Sequence, residues 1–197
     1  MDRGQAHTLE GVMAGVVLLA SLLFALQATT VTPLSASTSN EYIGTQLHGV
    51  AAGTLATGSE TGSLKYLVLH WDEANGEFSG AGGDGWYVQP GHEPEPNDFI
   101  DALQAAYAGQ GVAYNIYVQW EDRPGAIERR RLLYQGTPTD DAVSASHVVT
   151  IYDDDEFTGT ATRVDDSNTY FATDRSPGTP DPPLYTVITV EVVVWRL

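Results

Sequence analysis

The sequence predicts an α+β protein in which a long N-terminal helix of transmembrane length and two or three short helices precede an antiparallel sheet of about four strands. Three observations predict this class. No charged residue lies between Glu10 and Glu41. The apolar spacing changes from a period of 3.6 residues to a period of 2 near Val112. Helical and extended segments follow one another in blocks rather than alternating, which is typical of α+β proteins.

The chain divides into a polar head at residues 1–10, a hydrophobic stem at 11–33 and an acidic body at 34–197. As a helix, the apolar stretch from Gly11 to Val31 would be about 30 Å long, close to one hydrocarbon thickness. Pro33 is expected to break or kink it. We expect a single-pass membrane segment with the N-terminus in the cytoplasm, on the side of Arg3, and the body outside the cell. Secretion after a cut following Ser35-Ala36-Ser37 is the alternative.

Three helices are expected in the first part of the body. Thr38 and Glu41 have the spacing of a capping box and begin the first helix. A second helix is expected from Ser63 to about Asn75, although its apolar spacing also fits a strand. Asn97 is expected to cap the third. Their predicted core positions are Ile43, Leu47, Val50, Ala51, Leu55, Leu64, Leu67, Val68, Trp71, Phe99, Leu103 and Tyr107.

Four strands are expected in the second part of the body, at residues 112–120, 127–135, 143–151 and 184–196. Apolar and polar side chains alternate along the first three, as in half-buried strands. The last strand is apolar on both sides, which predicts a central strand covered on both faces. Residues 153–183 are rich in Asp, Thr, Ser and Pro and are expected to form a solvent-facing loop with few apolar anchors.

The net charge of the chain indicates the ionic strength of the environment in which the protein functions. Of its 197 residues 26 are acidic and 9 are basic, which gives a net charge of −17, and Lys65 is the sole lysine. Such a surface repels nucleic acid at ordinary ionic strength and suits a protein in molar salt, where the Debye length is about 3 Å. The absence of cysteine excludes disulfides and thiol catalysis. We therefore expect a halophilic protein that does not bind nucleic acid.

No residue pattern in the body predicts a catalytic, cofactor or metal site, so we expect no enzyme and no cofactor. The five histidines are far apart in the sequence, and the acidic run 153–156 lacks the spacing of a calcium loop. The glycines of 80–85 do not form a phosphate-binding motif. The arginines of 129–131 alternate faces on a strand, so they are expected to pair with nearby carboxylates rather than to form a docking patch.

The head places Arg3-Gly4-Gln5 ahead of the apolar helix, with Glu10 near the start of that helix. In these residues it resembles the class III signal peptide of archaeal type IV pilin-like proteins and archaellins. The string RGQAHTLEG, the stem and the closing strand TVITVEVVVWRL are similar to haloarchaeal pilin-like membrane proteins, mostly of unassigned function. The resemblance implies that a prepilin peptidase cuts after Gly4 and that Gln5 becomes the N-terminus. It also implies a long helix with an antiparallel sheet packed on its outer half.

The same resemblance implies that Glu10 pairs with the free amine of a neighbouring subunit, while an N-terminal helix residue favoured by the helix dipole is the equal alternative. Gly11 and Gly15 have the spacing that lets helices approach closely. The expected function is a structural subunit or minor pilin of a type IV pilus-like surface filament in an extreme halophile. Expected partners are the membrane, copies of this chain or other pilin-like subunits, and the peptidase. The alternative is a monomeric, signal-anchored extracellular domain that binds a surface partner without polymerising.

Overall fold

The computed structural model describes residues 3–82, 84–88, 97–175, 177 and 184–197, without the side chains of 3–8 and 26–40. The chain separates into two compact units, Met1–Ile43 and Gly44–Leu197, and the second unit is the body. The predicted capping start at Thr38 therefore concerns side chains outside the described residues.

Helix α1 runs from Arg3 to Thr61 without a break. The predicted end near Pro33 and the separate helix from Thr38 are wrong, because one proline bends a long helix without having to end it. Gly62 ends α1 with a backbone φ of +79°, a left-handed conformation that glycine adopts without the strain of a Cβ. The predicted core face of this part of the helix is correct, since Ala51 and Leu55 are fully buried.

The predicted transmembrane helix is wrong. Within the part of the chain that the structure describes, none of the helices combines the length and the apolar content needed to cross a membrane.

Short elements connect α1 to the sheet. Helix α2 is Ser63–Val68, so the predicted helix to Asn75 ends early, and Trp71 lies in a strand. Strand β1 (Trp71–Asp72) pairs antiparallel with β2 (Glu77–Phe78). Helix α3 (Asp98–Tyr107) is capped by Asn97, as predicted. The Asn97 side-chain oxygen accepts a hydrogen bond from the Ile100 backbone N–H at 3.1 Å.

The main sheet has four antiparallel strands in the spatial order β4-β3-β6-β5. Its members are β3 (Val112–Arg123), β4 (Ala126–Tyr134), β5 (Val143–Tyr152) and β6 (Leu184–Arg196). The four predicted strands are therefore confirmed, and the last one is central, between β3 and β5. Val187 on its outer side is nevertheless 43% exposed, so that side of the strand is only partly covered.

One face of the sheet packs on the body helices around a common core. The segment 153–175 adds buried aromatic residues to this core, contrary to the prediction of a loop with few anchors. The Tyr170 hydroxyl donates to the Val68 carbonyl at 3.1 Å, and its ring lies 5.2 Å from that of Phe157. These contacts hold the segment against α2, because buried rings bring large apolar areas into the core.

Candidate assembly surface

The N-terminal part of α1 carries ten large apolar side chains that the chain leaves uncovered. Their exposed fractions range from 57% to 75%. They are Leu9, Val12, Met13, Val16, Val17, Leu18, Leu19, Leu22, Leu23 and Phe24. Burial of each would contribute roughly 1.5–3 kcal/mol, and monomeric proteins seldom expose a contiguous apolar surface of this kind. We call residues 9–25 the apolar segment.

The apolar segment is apolar around its whole circumference. Val16, Val17, Leu18 and Leu19 are consecutive and each is more than half exposed. Because successive residues of a helix are about 100° apart, four in a row point in all directions around the axis. A helix that is apolar all round is typical of a fully buried environment, whereas a helix on a protein surface has one apolar stripe.

The residues predicted for assembly lie in this helix. Glu10 is exposed, directly before Gly11. A Cβ built on Gly11 or Gly15 would meet no atom within 4 Å, so both positions are open to an approaching surface. The side chains of Arg3, Gly4 and Gln5, the predicted processing residues, lie outside the described part of the chain. The structure therefore brings together Glu10, Gly11 and Gly15 at the start of the apolar segment.

The acidic run 153–156 forms an ion pair and a hydrogen bond with other residues of the body. The Asp155 carboxylate lies 2.6 Å from the Lys65 Nζ and accepts a hydrogen bond from the Tyr152 backbone N–H at 2.7 Å. Burial, and secondarily the charge of Asp174, raises the pKa of Asp153. Among the described residues no group of three or more His, Asp or Glu could hold a metal ion.

An open cleft of about 600 Å³ lies where α3 ends and β3 begins. None of the described residues that line it has a charged side chain, and its polar side chains are those of Gln104, Tyr107, Tyr114 and Gln135. Burial raises the pKa of Tyr107 to about 12, and its hydroxyl donates to the Leu47 carbonyl at 3.0 Å. At neutral pH the Tyr107 hydroxyl is therefore protonated and hydrogen-bonded to Leu47. A general base has to accept a proton, so this tyrosine does not fit that role.

The arginines of 129–131 have three different surroundings. Arg129 forms an ion pair with Glu191 at 2.8 Å, as predicted for this run. Arg130 is half-buried over the Trp71 ring and donates to the Gly76 carbonyl at 3.2 Å. Arg131 instead lies over two aromatic rings and has no carboxylate partner within the part of the chain that the structure describes, so the predicted ion pair is not found there. No spacing in the sequence indicates these ring contacts. Trp71 and Trp86 come from distant segments, and Tyr134 shares a face with Arg131 only because of a register shift in β4.

One family model matches the chain, a family of unknown function (DUF7288), and the match covers residues 3–194. The chain belongs to this family. The match includes α1 with its apolar segment, strands β1 to β5 and β6 as far as residue 194. No curated protein and no solved structure matches the chain.

Proposed function

We propose that this protein is a structural subunit of a pilus-like surface filament, in which apolar segments of many copies pack together. The observation that carries the proposal is the uncovered apolar circumference of residues 9–25. A single partner helix would cover one stripe of such a segment, whereas a bundle of copies covers every side. The cell-surface location of the body is part of the same proposal.

The small side chains of the apolar segment support close packing between copies. Gly11, Ala14, Gly15 and Ala20 interrupt the large residues, and small residues let helix axes approach each other. Glu10 would lie at the end of this packed region. There its carboxylate would pair with the amine of a neighbouring Gln5 after cleavage behind Gly4, and the pair would fix the axial register of the copies.

The high net charge of the body also fits an assembled protein in concentrated salt. At −17 per copy, neighbouring bodies repel each other in dilute solution. In molar salt the Debye length is about 3 Å, so the repulsion between neighbouring bodies is screened. Apolar packing of the segments then provides the attraction between copies. Sulfate and other excluded salts strengthen such apolar packing further.

The test replaces two exposed leucines of the apolar segment in the full-length chain. We expect the double substitution Leu18→Asp and Leu22→Asp to abolish filaments in molar potassium chloride, because each added carboxylate would be buried among apolar side chains. Electron microscopy of sheared surface material and sedimentation of the purified chain measure this. The double substitution Ile127→Asp and Val148→Asp is the matched control, since these residues are 63% and 52% exposed on the body and their replacement adds the same two charges.

Unchanged filament yield in the double variant contradicts the proposal. A wild-type chain that is monodisperse and monomeric under all salt conditions supports the alternative, a surface-anchored domain that does not polymerise. Mass spectrometry of the native N-terminus tests processing in the same material. A mature chain that begins at Gln5 agrees with cleavage behind Gly4, and an intact Met1 excludes it.

A further inference from the structure

We propose that Trp86, Arg131 and Tyr134 form a binding site for a carboxylate on the acidic surface of a second copy of this chain. We call these three residues the arginine clamp. The inference deepens the proposed function and rests on it, because the second copy is the neighbouring subunit of the assembly. The clamp is on the body, so the contact it makes is distinct from packing of the apolar segments.

The clamp depends on an irregularity in β4. Arg131 pairs with Tyr117 and Tyr134 pairs with Asn115, with a register shift between these two pairs. Tyr117 and Asn115 are two residues apart on β3 and therefore share a face. Arg131 and Tyr134 are three apart and share that face only because of the extra residue in β4. The bulge thus brings a guanidinium and a phenol ring together.

A short segment before α3 supplies the indole. The Tyr87 backbone N–H donates to the Leu132 carbonyl at 2.8 Å, and the Tyr134 N–H donates to the Tyr87 carbonyl at 2.9 Å. These bonds add the segment to the edge of β4 and position the Trp86 ring beside Arg131. The Arg131 Cζ lies 4.1 Å from the centre of the Tyr134 ring and 4.9 Å from that of Trp86.

Arg131 has no counter-ion in the described part of the chain. Ion pairs hold five other basic side chains of the body: Lys65, Arg123, Arg129, Arg163 and Arg175. The Arg131 side chain makes ring contacts instead, and the residue is exposed. Among the described residues no acceptor takes a hydrogen bond from its guanidinium. A guanidinium has five N–H donors, so its fork is open to solvent.

These features fit the recognition of a carboxylate. A guanidinium binds a carboxylate through two parallel hydrogen bonds, and the rings hold the fork in place so that less side-chain freedom is lost on binding. Trp, Tyr and Arg are also the residue types that dominate interface hot spots. Acidic residues outnumber basic ones by 26 to 9 in each copy, so most charged side chains that a neighbouring copy presents are carboxylates. Charge complementarity therefore favours a second copy as the occupant.

The experiment compares Arg131→Gln with Arg196→Gln in the full-length chain in molar potassium chloride. Arg196 is also exposed and loses the same charge, but no described ring lies against it. We expect Arg131→Gln to raise the critical concentration for assembly about tenfold, as for the loss of one charge-assisted contact, and Arg196→Gln to leave it unchanged. Arg131→Lys should resemble Arg131→Gln, because an ammonium keeps the charge without the fork.

A second readout separates this inference from the proposed function. In the background of Leu18→Asp and Leu22→Asp, sedimentation equilibrium measures the weak self-association that does not involve the apolar segment. We expect Arg131→Gln to weaken this association about tenfold. If the wild type forms no filaments but this dependence on Arg131 is found, the clamp is upheld and the filament is rejected. If the Arg131 and Arg196 variants behave alike in both readouts, the clamp is overturned whether or not filaments form.

The folding of the variants is checked by their melting temperatures. Loss of ring contacts alone would lower the melting temperature and leave the association constant of the folded chain unchanged, which would assign Arg131 a purely structural role. If Arg131→Gln does not fold, Arg131→Lys provides the same comparison, because its aliphatic stem still covers the rings.

Discussion

At the scale of single residues, buried tyrosine hydroxyls connect segments that are distant in the sequence. Tyr170 donates to the carbonyl of Val68, and Tyr185 donates to that of Ala172. Tyr107 donates to the carbonyl of Leu47 on α1. Each bond satisfies a polar group inside an otherwise apolar core, so the loss of either partner costs more than an exposed hydrogen bond would.

These tyrosines predict that the body loses stability in alkaline solution. Burial raises the pKa of Tyr107 and of Tyr185 to about 12, against about 10 in an unfolded chain. The unfolded state therefore releases its protons first, and the free energy of unfolding falls as the pH rises from about 10 to about 12. Thermal unfolding at several pH values measures the fall, and tyrosinate absorbance reports the ionisation.

Substitution of Tyr107 tests this assignment. Tyr107→Phe should cost about 1 kcal/mol at neutral pH and should make the alkaline fall shallower. Tyr42 is 73% exposed, so Tyr42→Phe is the control and should change neither quantity. An alkaline profile that is the same in wild type and Tyr107→Phe would contradict the assignment to this residue.

At the scale of secondary-structure elements, α1 shows how two glycines in one helix can have different roles. A Cβ built on Gly53 would meet no atom within 4 Å. A Cβ built on Gly58 would lie 3.0 Å from Phe99 Cδ2 and 3.1 Å from Leu64 Cγ. Both neighbours are buried and cannot move away easily, so α3 and α2 pack directly on the backbone of α1 at this position.

The two glycines therefore predict opposite effects of alanine. Gly53→Ala should raise the free energy of unfolding by about 1 kcal/mol, because alanine is the better helix former. Gly58→Ala should lower it by about 1 kcal/mol or more, because overpacking exceeds the same gain. Urea unfolding of the two variants measures both. A stabilised Gly58→Ala chain would show that α2 and α3 can move away from α1.

The elements differ in how far the sequence predicts them. Strands β3 to β6 were predicted because alternating side chains and turn residues are local signals. The strand position of Trp71 is not predicted, because its spacing from Leu64 and Leu67 fits a helix. In the structure the centre of its ring lies 5.5 Å from that of Phe78 in β2. The arginine clamp was missed for a similar reason, since it needs a bulge and a ring from a distant segment. Contacts across the fold have no local pattern.

At the scale of the whole molecule, the excess of carboxylates determines the conditions under which the fold is stable. Ion pairs engage only a few of the 26 acidic side chains, because 9 basic residues are available. The remaining carboxylates repel one another over the Debye length, which is about 10 Å at 0.1 M salt and about 3 Å at 1 M. Folding brings these charges together, so the repulsion opposes the compact state in dilute salt.

We therefore predict that the melting temperature falls when the chain is moved from molar to 0.1 M potassium chloride. For a chain of this size, each kcal/mol lost lowers the melting temperature by about 2–4 °C. Scanning calorimetry across a salt series measures the change. Sucrose at equal osmolality is the control, since it screens no charge. A melting temperature that is independent of salt would mean that charge repulsion has little influence on this fold.

The central position of β6 has a consequence for synthesis. In the main sheet β5 pairs with no strand other than β6, and β6 is the last described strand of the chain. The four strands cannot all pair until the whole of β6, which ends at Arg196, has left the ribosome. At about 5–20 residues per second, the segment 9–25 precedes that moment by roughly 10–30 seconds. During this interval the apolar segment has already left the ribosome while β5 still lacks the strand with which it pairs, so the segment can associate with other apolar surfaces before the sheet is complete.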